Sequence, residues 1–414
     1  VFSRPISFVV AGAAGAATLT AASAPSPLYP VYQQLWGFSS FTLTVVFAVY
    51  VAALLVALLT VGSLSDRIGR RPVASAALVL LAVGMLLFTV AGGTGGLIAA
   101  RVVQGFAVGA ATGTVTAMIM DAGPNRRWSS IVSSAVPSLG IAIGAVLAGT
   151  LVEFAPLPRQ LVFWVLAAAY LVLATLVWFV PEHGDSGAPG RHDEAKRSTT
   201  VSIWRTLLPS AGVPPEMRPV FLALVPSIAA TWALSGLYLS LGSSIVGTVL
   251  GVHSHFAVGL VLGVFFVAGT AGTAASALLP VQLREWFGSA ALVVGVLATI
   301  AALPSGALPL YLVGSAIAGI GFGAAFRFVV DALGDASPAD RRGQVFATMY
   351  IVSYVAFSVP ALVAGLAVGR FGLEATAVGY GVFDVALVVV AVGAGLTRAR
   401  RQRRADSERV PAGL

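Results

Sequence analysis

The chain has 414 residues, 58% of them hydrophobic and only 10% charged, and a mean hydropathy of +0.94. These values exclude a water-soluble globular domain, in which about 25% of residues are charged. The formal net charge of +8 would suit nucleic acid or a membrane surface, but the basic residues segregate by loop in a pattern that makes nucleic acid unnecessary.

Apolar runs long enough to cross about 30 Å of hydrocarbon recur along the chain. They are apolar on every face, as over residues 73–91, rather than alternating, which predicts helices and not a β-barrel. The runs place spanning helices at roughly 6–27, 41–63, 72–92, 96–121, 128–152 and 160–180, then at roughly 218–245, 256–280, 287–303, 308–332, 343–368 and 374–396. The expected fold class is therefore an all-α membrane protein of twelve transmembrane helices in two six-helix bundles. Residues 1–182 are read as the N-terminal bundle, 183–217 as a polar cytoplasmic linker, 218–397 as the C-terminal bundle and 398–414 as a basic cytoplasmic tail. The linker carries Gly187, Pro189, Gly190 and a charge cluster from Arg191 to Arg197, a composition that packs no core. The first helix lacks a signal-peptide cleavage pattern and is expected to stay as a span. Small residues four apart, Gly105 with Gly109, Gly140 with Gly144 and Gly319 with Gly323, mark close helix packing in lipid.

Arginine and lysine alternate by loop. Arg4, the 67–71 turn, Arg126 and Arg127, the linker, Arg284, Arg341, Arg342 and the tail lie on the side of both termini, whereas the opposite loops hold Arg159 and Arg370. By the positive-inside rule both termini are cytoplasmic, in a multi-pass protein of the cytoplasmic (inner) membrane. An internal duplication reinforces the count. Asp121-Ala-Gly-Pro-Asn-Arg126-Arg127 and Asp335-Ala-Ser-Pro-Ala-Asp-Arg341-Arg342 stand at the same cytoplasmic turn, six helices apart.

The turn after the second helix reads Gly62-Ser-Leu-Ser-Asp66-Arg67-Ile-Gly69-Arg70-Arg71-Pro72. Its glycines permit close backbone approach, Asp66 can face the positive end of a neighbouring helix, and Arg70 and Arg71 can pair with acids at other helix ends. A plain topological anchor is the alternative reading. Ionisable residues within spans matter more, because a charge at mid-bilayer costs at least about 2.5–3.5 kcal/mol. Arg101 falls in the outer half of the fourth helix, as a functional charge or as a snorkelling or structurally paired arginine. Asp384, near the middle of the twelfth, is poised either to take up a proton or to pair with Arg327. Arg327 and Asp331, four apart on the tenth helix, can share one face as a gate strut. Aromatic side chains with polar tips suit an amphipathic ligand. Tyr29, Tyr32 and Tyr50, with Gln104, fall in the first bundle; Trp232, Tyr238, Phe326, Tyr350 and Tyr354 fall in the second. Helix packing explains most membrane aromatics equally well.

The 62–72 turn resembles the signature loop of the major facilitator superfamily, and Arg101-Val-Val-Gln104-Gly105 resembles that family's second motif. The likeness runs over essentially the whole chain. It implies an inner gate latch, with Asp66 and Arg70 engaging Asp121, and gives Arg101 a part in proton coupling. The segment Leu283-Arg284-Glu285-Trp286-Phe287-Gly288 is similar to a worn second copy of the loop. The fifth helix keeps Gly140, Gly144 and Gly149 but lacks the proline of the family's drug–proton antiporters, and Pro181-Glu182-His183-Gly184 lacks the Ser-Pro-Arg of its sugar porters. Ser26-Pro27-Leu28-Tyr29-Pro30, read as the end of the first helix, is similar to the exit of drug-exporter-like members.

The reading that follows is a secondary transporter working by alternating access, with proton-coupled efflux of small amphipathic compounds expected. Proton-coupled uptake of a small polar nutrient or organic anion, anchored on Arg101 or Arg327, is the alternative. A non-transporting sensor ranks lower. No acid occurs inside the first, second, seventh or eighth helices, which disfavours a dedicated cation pump, and no nucleotide-binding loop or nucleophile constellation points to an enzyme. Cysteine is absent, and His183, His192, His253 and His255 form no zinc-ligand pattern, so no metal or cofactor is expected. The expected partners are a small molecule, the proton and the lipid bilayer, and the expected state is a monomer.

Overall fold

A computed structural model describes residues 2–61, 65–181, 212–338 and 341–409. Every regular element among them is helical. The chain divides into two compact units, Val1–Ser210 with Val252–Gly263, and Ala211–Gly251 with Val264–Leu414.

The first unit begins with α1 (Arg4–Ser23) and α2 (Tyr29–Trp36), joined by a 3-10 turn at Ser26–Leu28. The first span therefore does not end at the proline-rich stretch. Pro25, Pro27 and Pro30 break the hydrogen-bond ladder, but each fits the first positions of a new helical turn, so the chain bends and continues to Gly37, a C-cap with φ +64°. There follow α3 (Ser40–Val61), α4 (Ser65–Ile68), α5 (Arg70–Val90), α6 (Thr94–Ala122), α7 (Arg126–Phe154) and α8 (Leu161–Val177). Helix α6 is central, packing on α1, α3 and α5. The glycine pairs explain how. Gly105 and Gly109 seat α6 directly on the carbonyls of Tyr50 and Leu54 in α3, and Gly140 and Gly144 seat α7 on those of Ala16 and Thr20 in α1. Asn125 caps α7 by accepting the Trp128 backbone N–H at 2.9 Å.

The second unit holds α9 (Arg218–Ser240), extended by a π-helical turn at Ile245–Val249, and most of α10 (His255–Ala277), then α11 (Val281–Ala302), α12 (Leu308–Ala336), α13 (Arg342–Phe371) and α14 (Leu373–Arg409). Gly319 and Gly323 of α12 rest on the Phe265 and Gly269 carbonyls of α10. Helix α9 packs on α12, α13 and α14, and α11 on α12 and α14. The first turns of α10 group with the first unit, where Gly259 lies against Ala145 and Glu153 accepts the His255 backbone N–H at 2.8 Å.

Two further boundaries depart from the sequence reading. Helix α11 starts at Val281, so Arg284 and Glu285 are helical rather than in a loop. Helix α14 runs on to Arg409 through the basic tail, since Thr397–Arg409 has no glycine or proline and is rich in helix-forming Ala, Arg and Gln. The predicted linker lies outside the described residues as far as residue 211.

Eleven helices among the described residues are long and apolar enough to cross a membrane, and α8, at 17 residues, completes the twelve. Their outward faces carry large apolar side chains, including Val56, Trp164, Val172, Leu222, Val294 and Val363, an arrangement stable only against lipid.

Candidate functional site

In the first unit the site is built on a fault in α1. The Ala21 carbonyl would ordinarily accept from the backbone nitrogen four residues on, but that residue is Pro25, which has no N–H. The Gln104 side-chain amide of α6 donates to it instead. Arg101, one turn before Gln104, is completely buried. Its guanidinium donates to Gln104 Oε1 at 2.8 Å, to the Ala22 carbonyl at 3.3 Å and to the Tyr29 hydroxyl. Three rings surround the cation, with centroids 5.2 Å (Tyr50), 5.4 Å (Tyr29) and 5.8 Å (Phe88) from Cζ. Among the described residues no carboxylate pairs with it. The charge is held by neutral dipoles and ring faces. Tyr32 stands apart, stacked on Trp36 at 4.8 Å, with its hydroxyl buried and unpartnered.

At the other end of α6, Arg70 forms an ion pair with Asp121 and also donates to the Ala117 carbonyl at 3.2 Å. Gly69, at φ +96°, allows the turn that starts α5 immediately before Arg70 and Arg71. Gly62 and the side chains of Asp66 and Arg67 lie outside the described residues.

The second unit separates the remaining candidates into three groups and an isolated Asp384. Trp232 meets Tyr354, Phe326 and Phe357 edge-on at 4.9, 5.6 and 5.7 Å, and Tyr350 stacks on Tyr354 at 6.4 Å. The Trp232 indole N–H has no partner inside this cluster. Tyr238 lies elsewhere, stacked on Phe265 at 4.2 Å and hydrogen-bonded to Ser315 at 2.6 Å. Asp331 forms the third group, meeting Arg284 of α11 at 3.2 Å and Arg327 at 3.5 Å. Arg327 also donates to the Thr273 carbonyl at 3.5 Å. The alternative pairing of Arg327 with Asp384 is not made, because Asp384 is completely buried and neither of its oxygens has a hydrogen-bond partner.

Two apolar grooves of about 610 Å³ and 340 Å³ run along α13 and α14, sharing Val359, Pro360 and Phe383. None of the predicted cavity residues lines either one. Exposed Val355, Val359, Val363, Phe371 and Phe383 line them beside buried Ala233, Ala364 and Tyr380.

Sequence reasoning missed Phe88, Phe357, Ser315 and Arg284 as partners. Helical spacing carried a signal for one: Phe357 stands three residues after Tyr354, on the same face. Phe88 reaches Arg101 only through tertiary packing, which no local spacing encodes.

Twelve spanning helices arranged in this way define a multi-pass integral membrane protein. The profile of the Major Facilitator Superfamily matches residues 11–361, and the chain belongs to that family of transporters. A stretch of 172 residues is 25% identical to the multidrug resistance protein MdtL of Escherichia coli (strain K12 / DH10B), and the same length is 25% identical to MdtL of Shigella dysenteriae serotype 1 (strain Sd197). Each match covers 40% of this chain and 42% of the relative. The fold is similar to crystal structures of a bacterial homolog to the human lysosomal transporter Spinster. The inward-facing unoccupied form superposes with a TM-score of 0.77 and the inward-facing occupied form with 0.71, each at 15% identity over 95% of this chain and 97% of the other.

Proposed function

We propose that the protein exports small amphipathic compounds from the cytoplasm in exchange for protons, by alternating access of residues 1–182 against 218–397. The observation that carries the substrate class is the Trp232 cluster. Three aromatic rings meet the Trp232 ring edge-on, and its indole N–H has no protein acceptor, which is the chemistry of a ligand with a flat apolar body and one acceptor atom. The partial likeness to MdtL, a multidrug resistance protein, supports the same class. The uptake reading has less support, because an anion anchored on Arg101 would have to displace Tyr29, Gln104 and the Ala22 carbonyl. In this reading Arg70–Asp121 is the inner latch, Arg284–Asp331–Arg327 is a strut in the second bundle, and both termini face the cytoplasm of a bacterial inner membrane.

Everted membrane vesicles acidified inside by respiration test the proposal. Vesicles containing the protein accumulate ethidium or a bisbenzimide dye, and a protonophore releases it. Accumulation unaffected by the protonophore would remove proton coupling, and no accumulation of any amphipathic dye would remove efflux.

A further inference from the structure

We propose that Asp384 is the proton-binding carboxyl of the second unit, neutral in this conformation and deprotonated only when Tyr238 or Tyr380 turns toward it. The inference deepens the proton-coupled reading above and rests on it for what the proton drives, though not for where the proton sits.

Asp384 stands near the middle of the span Leu373–Thr397, fully buried, with both carboxyl oxygens unpartnered. No cation reaches it among the described residues. Arg327 and Arg284 are committed to Asp331. Tyr380 stands one turn before it on α14, and Tyr238 lies on α9, which packs against α14. Both hydroxyls are engaged elsewhere, Tyr238 with Ser315 at 2.6 Å and Tyr380 with the Ala233 carbonyl of α9 at 2.7 Å. Among the described residues, no ion pair brings a charged side chain of another element to this carboxyl. Tyr311 of α12 lies against Tyr238, with ring centroids 6.4 Å apart. On α11, Glu285 lies beside Gly395, about three turns further along α14. On α13, Tyr350 and Tyr354 belong to the Trp232 cluster, while Arg342 and Arg370 lie in its first and last turns. The π-helical turn Ile245–Val249 carries no titratable side chain.

An ionised carboxylate in such a place has neither counter-charge nor donor, and a buried charge persists only when it is paired or hydrogen-bonded. The neutral acid needs neither. Loss of the proton leaves a carboxylate that must recruit a hydroxyl, and the tyrosines are the donors at hand. Recruiting Tyr380 frees the Ala233 carbonyl and breaks a polar tie between α14 and α9. Recruiting Tyr238 frees Ser315 of α12. Proton occupancy of one carboxyl thereby sets whether α9 is tied to its neighbours, and α9 also carries Trp232.

Infrared difference spectroscopy of the full chain in lipid reads the site without any transported compound. Near neutral pH the wild type is expected to show the carbonyl band of a protonated carboxyl free of hydrogen bonds. Asp384→Asn lacks the band, Asp331→Asn keeps it, and the wild-type band declines as pH is raised. Identical spectra for wild type and Asp384→Asn would overturn the proposal, as would an Asp384 band that does not change with pH. In everted vesicles, Asp384→Asn and the double variant Tyr238→Phe/Tyr380→Phe are expected to lose proton-driven ethidium accumulation while remaining folded and monodisperse in detergent. Full proton-driven accumulation in Asp384→Asn would overturn the coupling role. If wild-type vesicles accumulate no dye, the efflux reading fails while the band still decides the site.

Discussion

Pro25 withholds a hydrogen bond from Ala21, and Gln104 and Arg101 occupy the gap that results. Each charge-assisted bond of a buried guanidinium is worth about 1.5–3 kcal/mol. Arg101→Ala is therefore expected to lower the thermal unfolding temperature in detergent by several degrees and to abolish dye accumulation. Arg101→Lys retains the charge without the planar fork, and should recover part of the stability but not transport. Wild-type transport in Arg101→Ala would remove this residue from the mechanism. The Arg70–Asp121 pair differs in kind. Both side chains are about one-third exposed, so the pair contributes only about 0–1 kcal/mol to stability. Asp121→Asn should leave the unfolding temperature within a degree or two of wild type while slowing dye transport several-fold. Unchanged transport would reduce the pair to a topological anchor. The ionisable residues themselves were legible in the sequence because charge inside an apolar run stands out. Their partners were less so. Arg327 has Asp331 within one turn of its own helix, but Arg284 joins them from α11, and the isolation of Asp384 is a property of packing alone.

Among the elements, the spanning helices could be read directly, since apolar length and polar punctuation encode them. The exceptions have physical causes. Proline at Pro25 and Pro27 reads as a terminus, yet here it marks a bend, because α2 restarts with Pro30 in its first turn. Arginine at Arg284 and after Arg398 reads as loop, yet it is a good helix former outside the hydrocarbon. The glycine pairs make the most exposed prediction at this scale. A side chain at Gly105 meets the Tyr50 carbonyl, and one at Gly319 meets that of Phe265. Backbone cannot yield as a flexible side chain would, so Gly105→Leu and Gly319→Leu should each destabilise by about 1–3 kcal/mol or prevent folding. By contrast Gly113, with open space beside it, should accept alanine without loss of stability. Equal effects at the three positions, measured by thermal unfolding in detergent, would contradict the packing described.

For the whole molecule, composition established the membrane and the arginine asymmetry proposed the orientation, while substrate and direction were not encoded in any local pattern. In the proposed reading the substrate class depends on which aromatic side chains converge, and Trp232, Phe326, Tyr354 and Phe357 come from α9, α12 and α13, far apart in the chain. Orientation can be tested cleanly because the chain has no cysteine. In intact cells an impermeant maleimide should label Leu157→Cys, in the exposed turn between α7 and α8, and should label Ala412→Cys only after permeabilisation. Labelling of Ala412→Cys in intact cells would reverse the topology and, with it, the direction of efflux.

In the proposed mechanism, movement of an amphipathic compound and movement of protons are one process. Purified protein in liposomes, with a pH-sensitive dye trapped inside and a pH gradient imposed, measures it directly. Adding ethidium is expected to accelerate proton flux, and Asp384→Asn to abolish the acceleration. Proton flux indifferent to ethidium and to every other amphipathic compound in a panel would contradict the mechanism.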